Sequence, residues 1–205
     1  MKRTLLCLSL IVISVGAVNA QISKGIKTIG GSVFFTNSKQ TGEASLGSKG
    51  NNLNIAPSFG VAIKDNLIFG GELLFINGKH TQGTSEIKST GYGVGAFIRK
   101  YQPLGNSNFY VYGQARVGAR FGTSKNSNGA TEYKTNNTNV ELSVQPGISY
   151  AITKRFHIET SIANLFAANY TVTNRKDPDI KTSDFGVRAN LGSNTELQVG
   201  VRFFF

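Results

Sequence analysis

Apolar and polar side chains alternate with a period of two residues through most of this chain. From Leu53 to Ile63 the odd positions are apolar, while the even positions carry Asn, Ala, Ser or Gly. Successive side chains of a β-strand point to opposite faces, so this pattern predicts a strand with one apolar face. The alternation predicts eight strands, at about 26–36, 53–63, 67–75, 91–99, 109–121, 140–152, 156–162 and 183–205.

The connections between the predicted strands alternate in length. Three of them are short turns, at 64–66, 102–108 and 153–155. The others are long and rich in Ser, Thr, Asn, Gly and Lys, and they cover 37–51, 77–88, 122–138 and 169–183. Short turns at one end and long loops at the other are typical of membrane-spanning barrels. The predicted fold class is all-β, an eight-stranded antiparallel up-and-down transmembrane β-barrel.

The strand count depends on the last segment, Ser183 to Phe205, which is interrupted by "GSN" at 192–194. Val187 and Val199, on either side of the interruption, both belong to the apolar face. We therefore interpret the segment as one long strand with a bulge near Gly192. A turn at 192–194 would give nine strands, whereas bacterial single-chain barrels have even numbers.

The first 20 residues have the layout of a secretory signal peptide. Lys2 and Arg3 precede an apolar run from Leu5 to Val18, and small residues allow cleavage after Ala20. The alternative, a transmembrane anchor, requires about 20 apolar residues, and this run is shorter. The sequence therefore predicts a signal peptide at 1–20 and a single barrel domain at 21–205.

Cysteine content and charge exclude several classes of function. The only cysteine, Cys7, lies in the predicted signal peptide, so the barrel domain has no thiol for a disulfide, a metal–thiolate site or a nucleophile. The formal net charge is +11, which can indicate nucleic acid binding. An exported chain without a Lys/Arg cluster does not fit that partner, so we expect no nucleic acid.

A soluble lipocalin-like barrel has the same alternation, but its apolar face points inward and its outer wall carries charged residues. Here the lysines lie in loops, turns and strand ends, and aromatic residues collect near both ends of the strands, as in the interfacial girdles of membrane barrels. The short-turn end has Tyr101, Phe109, Tyr150, Phe156, Phe203 and Phe205, and the long-loop end has Phe35, Phe75, Tyr92, Phe121 and Phe166. These positions favour the membrane barrel.

Charged residues on the polar face predict ion pairs that plug the lumen. The interior of an eight-stranded barrel is just wide enough for side chains to fill, and unpaired charges there are costly. We expect two layers of charges. The layer near the short-turn end contains Glu72, Arg99, Glu159 and Arg202, and the layer above it contains Arg116, Arg120, Glu141 and Arg188. A narrow selective pore lined by these arginines is the alternative.

The last strand carries a further pattern. A polar residue is followed by a glycine two positions later and by aromatic residues three and five positions after the glycine, at Gln198, Gly200, Phe203 and Phe205. On the basis of this strand, the signal peptide and the four long loops, the chain resembles the small eight-stranded outer-membrane barrels of the OmpA/OmpX-like superfamily. The resemblance covers the whole of 21–205. The resemblance implies that the protein is located in the cell outer membrane and contacts lipid including lipopolysaccharide. It also implies that the barrel-assembly machinery recognises the chain, and that the protein is a monomer without a cofactor.

No motif predicts catalysis or a metal site. The glycines at 91, 93 and 95 lie on one face of a strand, whereas a nucleotide-binding loop lies between a strand and a helix. We interpret them as clearance for Tyr110, Tyr112 and Arg116. His80 lies in a long loop, and His157 is expected in the lumen network. Neither has a nucleophile at a useful spacing.

The predicted function is that of an integral outer-membrane barrel with a plugged lumen. Its role would be structural or surface interaction through four long extracellular loops, whose partner the sequence does not name. Two alternatives remain open, a narrow porin-like channel for small solutes and a soluble periplasmic lipocalin-like barrel that binds a ligand.

Overall fold

The structure is a computed structural model that describes residues 22–42, 45–128, 131–162, 165–176, 179–189 and 197–205. Its strands are β1 (Lys27–Gly42), β2 (Ser45–Lys64), β3 (Leu67–Gln82), β4 (Ser85–Pro103), β5 (Phe109–Asn128), β6 (Thr131–Ala151), β7 (Phe156–Ile162), β8 (Phe166–Lys176), β9 (Ile180–Ala189) and β10 (Leu197–Phe204). The all-β class is confirmed. The predicted signal peptide and the predicted bulge near Gly192 lie outside the described residues.

All the strands pair antiparallel in one sheet that closes on itself. Strands β1 to β6 follow one another as hairpin neighbours. Strands β7 and β8 both pair with β6, and β9 pairs with β8. Strand β10 pairs with β7 on one side and with β1 on the other, which closes the circuit. The result is an up-and-down barrel.

Ten strand segments stand where the sequence predicts eight strands. The difference arises because β7 and β8 lie end to end along the same neighbour, with Gly147 opposite Ser161 and Val144 opposite Phe166. Between these two pairs, β6 has two residues (145–146) and the facing segment has four (162–165). The two extra residues interrupt the ladder. The last predicted strand is likewise described as two segments, β9 and β10.

The four predicted long loops are wrong as loops, because the strands continue through most of them. Strands β3 and β4, for example, remain paired up to Gln82 and Ser85, and Gly83 has a positive φ of 58° in the turn between them. Strand β5 has 20 residues and β6 has 21, whereas about 9–11 residues cross a membrane. Roughly half of β5 and of β6 therefore projects beyond the span as a polar hairpin.

These hairpins define the upper end of the barrel, and the turns at 65–66, 104–108 and 152–155 define the lower end. The apolar face of the alternation points outward, so that side chains such as Phe59, Val94 and Leu142 are exposed. A belt of this kind is unfavourable in water and suits lipid. Within the described residues, no helix has the length and apolar character to cross a membrane.

Two members of the predicted girdles lie elsewhere. Tyr101 is fully buried in the lumen, because it has the same parity on β4 as the inward Arg99. Phe166 points outward but pairs with Val144, which is level with Ala115 in the middle of the belt.

Candidate functional site

The lower end of the lumen is filled by a cluster that we call the lower seal: Tyr101, Tyr110, Tyr112, His157 and Phe204. The ring of Tyr101 lies 5.4 Å from that of Tyr112 and 6.4 Å from that of Phe204, centroid to centroid. His157 lies 4.5 Å from Phe204 and stacks on Tyr110. All five side chains are buried. Aromatic rings at these distances pack as they do in a protein core.

The segment that leads into β1 covers the lower seal from below. The backbone N–H of Asn66 donates to the carbonyl oxygen of Ile22 at 2.8 Å, and the N–H of Ile22 donates to Asn66 Oδ1 at 3.2 Å. Asn66 holds a positive φ of 57°, a conformation that Asn tolerates better than most residues. Ile22 is thereby buried against the core of the lower end, with Ala62 and Ile68.

Directly above the seal, Arg99, Glu159 and Arg202 form what we call the lower network. Arg99 Nη1 lies 2.6 Å from Glu159 Oε2, and Arg202 Nε lies 3.3 Å from both carboxylate oxygens of Glu159. The Tyr101 hydroxyl donates to Glu159 Oε1 at 2.5 Å. Glu159 is only 5% exposed and Arg202 only 2%. One carboxylate therefore holds two arginines and a tyrosine across the barrel.

Neighbouring polar groups accept further hydrogen bonds from the two arginines of the lower network. Arg99 Nε donates to Gln114 Oε1 at 2.8 Å, and Arg202 Nη1 donates to Thr28 Oγ1 at 3.3 Å. The Arg99 guanidinium also lies 4.3 Å from the centre of the Tyr112 ring, within the range of a cation–π contact. Buried charges are tolerable when they are paired and hydrogen-bonded in this way.

Close packing around the seal requires a glycine at position 147. Tyr112 and Gly147 lie directly opposite each other on β5 and β6, and a Cβ at Gly147 would overlap the Tyr112 ring. The sequence interpretation gave this clearing role to the glycines at 91, 93 and 95. In the structure a Cβ at Gly95 would lie 3.3 Å from Glu72, so that this glycine makes room for the partner of Arg116.

Higher in the lumen, Glu72, Arg116, Glu141 and Arg188 form the upper network. Arg116 bonds Glu72 through Nε, and its Nη1 lies 3.3 Å from Glu141 Oε1. Arg188 Nη2 lies 3.0 Å from Glu141 Oε2, while the Arg188 side chain is 50% exposed. These residues line a cavity of about 390 Å³ that also reaches the lower network.

The structure brings seven of the eight predicted lumen charges into two networks, with differences of detail. Glu72 belongs to the upper network and not to the layer near the turns. His157 joins neither network by an ion pair among the described residues, and its Nδ1 lies 3.0 Å from Ser149 Oγ. Arg120 lines a second cavity above the upper network, which we call the upper cavity. Its Nε is buried without a hydrogen-bond partner in the described part of the chain.

Sequence reasoning missed several uncharged members of the lower network: Tyr101, Gln114, Thr28 and Ser58. The parity of Tyr101 with Arg99 is a signal that could have placed it inside. The upper cavity has a volume of about 470 Å³ and is lined mainly by Ser, Thr and Asn side chains. No group of three or more His, Cys, Asp or Glu residues suited to a metal ion occurs in the described ranges.

The predicted assembly residues lie along β10 and at Phe205, which follows it. Phe203 and Phe205 are exposed on the outer face, whereas Phe204 between them is 4% exposed and closes the lower seal. Gln198 and Gly200 face the lumen, and a Cβ at Gly200 would lie 2.6 Å from the Gly31 carbonyl oxygen on β1. Glycine thus allows β1 and β10 to approach closely where the barrel closes.

Comparison with solved structures gives several barrels of similar fold. A major outer membrane protein from Thermus thermophilus matches with a TM-score of 0.50 and 10% identity, covering 88% of this chain and 98% of that one. Neisserial surface protein A matches with a TM-score of 0.46 and 20% identity, covering 88% and 97%. OprG from Pseudomonas aeruginosa matches with a TM-score of 0.47 and 14% identity, covering 92% and 99%.

At these identities the likeness concerns the fold alone. No curated protein matches the chain in sequence. The family model described as "Outer membrane protein beta-barrel domain" matches residues 5–204. Since this match spans almost the entire chain, the protein belongs to the outer membrane protein beta-barrel domain family and resides in the outer membrane.

Proposed function

We propose that this outer-membrane barrel is closed to solutes, and that its role, structural or in surface interaction, is carried by its upper hairpins. The observation that supports closure is the continuous layer of buried side chains across the lower lumen. Arg99, Glu159 and Arg202 cross the lumen, and the rings of Tyr101 and Phe204 pack beneath them. A pore would need a hydrated path through this layer.

The orientation follows from the lengths of the projecting segments. Bacterial barrels place short turns in the periplasm and longer segments outside the cell. The upper hairpins would then face the exterior, next to lipopolysaccharide, and the last strand would be presented to the barrel-assembly machinery from the periplasm. Because the hairpins are paired strands anchored in a rigid barrel, they form an ordered polar surface on which a partner could bind.

Planar-bilayer recording of the refolded protein tests closure. We expect no stable channels from the wild type. The double variant Tyr101→Ala/Phe204→Ala removes two rings of the lower seal and should produce conductance. The matched variant Phe203→Ala/Tyr150→Ala removes two rings that are not part of the seal and should remain closed. Stable channels in the wild type would contradict the proposal, provided that heat-modifiable gel migration shows folded protein.

Cysteine labelling tests the orientation. Thr84 lies in the β3–β4 turn at the upper end, and Lys154 lies in the β6–β7 turn at the lower end; both are exposed. An impermeant maleimide applied to intact cells should label Thr84→Cys and leave Lys154→Cys unlabelled until the outer membrane is opened. The reverse result would place the hairpins in the periplasm and overturn the proposed surface role.

A further inference from the structure

Eight strands each present one outward lysine at the upper end of the barrel. We call these residues the lysine ring: Lys39, Lys49, Lys79, Lys88, Lys125, Lys134, Lys176 and Lys181. Each shares the parity of the outward apolar residues of its own strand, and all eight are exposed. In β5, for example, Lys125 follows Val117 and Phe121 on the outer face. Lysines that were merely scattered would not recur once per strand on one face.

The strand register brings neighbouring members of the ring directly opposite each other. Lys79 pairs with Lys88, Lys88 with Lys125, Lys125 with Lys134, and Lys134 with Lys176. Lys39 pairs with Lys49 in the same way. Cβ atoms of opposed residues lie about 4.5–5.5 Å apart, and like charges at this distance destabilise a sheet. The ring therefore weakens the barrel unless negative charge lies beside it.

Among the described residues, few carboxylates contact these lysines. Glu86 lies 2.6 Å from Lys79 Nζ and 2.7 Å from Lys88 Nζ. Glu132 on β6 is the other carboxylate on the outer face of the described hairpin strands. Lys125, Lys134 and Lys176 have no carboxylate within salt-bridge distance among the described residues. Among the described residues, six of the eight lysines of the ring therefore form no ion pair with a carboxylate.

The lysines of the ring lie beyond the upper edge of the apolar belt. On five strands the lysine lies four residues beyond an outward aromatic side chain: Lys39 and Phe35, Lys79 and Phe75, Lys88 and Tyr92, Lys125 and Phe121, Lys181 and Phe185. Four residues extend about 13 Å along a strand, or roughly 10 Å along the membrane normal at the usual strand tilt. Aromatic girdles mark the edge of the hydrocarbon, so the ammonium groups lie at the level of the lipid headgroups.

We propose that the lysine ring binds the phosphate groups of lipid headgroups in the leaflet around the upper hairpins. The inference rests on the proposed function in one respect, namely that the upper hairpins face the phosphate-bearing glycolipid of the outer leaflet. Lysine suits this ligand because its flexible stem carries a compact charge that needs no fixed partner geometry. Phosphates from several lipids would separate the opposed lysines and complete the charge balance around the barrel.

Binding of lipid A to the refolded full-length barrel in neutral detergent, followed by native mass spectrometry, tests this proposal. We expect the wild type to bind phosphorylated lipid A, with an affinity that falls as salt rises. The double variant Lys125→Gln/Lys134→Gln should bind about 25-fold more weakly, at about fivefold per lysine, and with a shallower salt dependence. The control Lys64→Gln/Lys154→Gln removes two exposed lysines at the lower end and should bind like the wild type.

Three outcomes would overturn the proposal. The first is equal binding of lipid A from which the phosphates have been removed. The second is unchanged affinity in the Lys125→Gln/Lys134→Gln variant, with heat-modifiable migration showing that it is folded. The third is displacement of the lipid by inorganic phosphate at the same concentration, which would indicate a site for free phosphate. None of these results bears on conductance, so that lipid binding and lumen closure fail or stand separately.

Discussion

The lower and upper halves of the lumen contain the same charged residue types, but in different surroundings. In the lower half one carboxylate, Glu159, holds Arg99, Arg202 and the Tyr101 hydroxyl, and all of them are buried. In the upper half Arg188 is half exposed and the networks open into a polar cavity. The difference lies in what borders each network, since aromatic rings pack beneath the lower one and a polar cavity lies above the upper one. We expect the rings to keep water from the lower half, whereas the upper half is open to it. If the proposed closure holds, arginine and glutamate on a lumen face indicate a closed barrel only where rings surround them.

The largest difference in the free energy of unfolding is expected between the variants Glu159→Gln and Glu141→Gln. Loss of the Glu159 charge leaves two buried arginines without a counter-ion, which should lower the free energy of unfolding by about 3–5 kcal/mol. After Glu141→Gln, Arg116 retains its ion pair with Glu72, and the Arg188 side chain is 50% exposed. The loss should therefore be nearer one charged hydrogen bond, about 1.5–3 kcal/mol. Urea unfolding of each variant in lipid vesicles measures both values.

Glu132→Gln serves as the control for this pair, because Glu132 is exposed on the outer face of a hairpin. Its unfolding midpoint should match that of the wild type. Equal losses in the Glu159 and Glu141 variants would show that the two halves of the lumen are equally dry, and would remove the distinction between them.

A second contrast uses two lumen glycines, Gly147→Val in the lower half and Gly122→Val in the upper half. Valine at 147 would displace the Tyr112 ring, and overpacking of this kind costs about 1–3 kcal/mol. A Cβ at Gly122 would meet only the Thr90 carbonyl oxygen, at an ordinary 3.5 Å, and it lines the upper cavity. The Gly122 variant should unfold at the wild-type urea concentration. A loss at Gly122 as large as that at Gly147 would mean that the upper lumen is packed.

Tryptophan fluorescence reports the hydration of the two halves directly, since the chain has no tryptophan. Phe204→Trp places the probe in the lower seal, and Ile76→Trp places it beside the upper cavity. Aqueous acrylamide should quench Trp fluorescence several-fold less in the Phe204 variant than in the Ile76 variant. Similar quenching would contradict a dry lower half. Free N-acetyltryptophanamide in the same detergent solution provides the fully accessible reference.

The faces of the membrane strands could be predicted from sequence, because lipid on one side and a narrow lumen on the other impose strict alternation. The upper hairpins could not be predicted in this way. Neither of their faces borders the hydrocarbon of the membrane, so neither face needs apolar residues. The segments from Lys79 to Lys88 and from Lys125 to Lys134 therefore resemble loops in composition. Backbone pairing continues there without a hydrophobic pattern to reveal it.

Partners within the lumen also depend on information that no single strand contains. Glu72 pairs with Gly95, Gly95 with Gly118, and Gly118 with Glu141. This chain of register places Glu72 level with Glu141 and next to Arg116, and not with the charges near the turns. The height of a residue in a barrel is set by the stagger between strands, and stagger is not visible in the position of a residue along its own strand.

The smallest expected effect concerns Glu86 on the upper hairpins. Hydrogen bonds from Lys79 and then Lys88 lower the pKa of the Glu86 carboxyl from 4.5 to about 2. A lowered pKa in the folded state means that the pairing contributes stability above about pH 4.5, and that this contribution is lost as the pH falls through about 2. The contribution itself should be small, because exposed ion pairs are weak and are screened by salt.

NMR titration of the Glu86 carboxyl carbon measures this shift, and Lys79→Gln/Lys88→Gln should return the pKa towards 4.5. A wild-type midpoint near 4.5 would show that the two lysines are not held by Glu86. Titration in the presence of phosphorylated lipid A sharpens the result, because phosphates that recruit Lys79 and Lys88 would raise the pKa of Glu86. The hairpins would then differ from the lower lumen in the source of their counter-charge, since the surrounding membrane balances the charges of the hairpins and the protein balances those of the lower lumen.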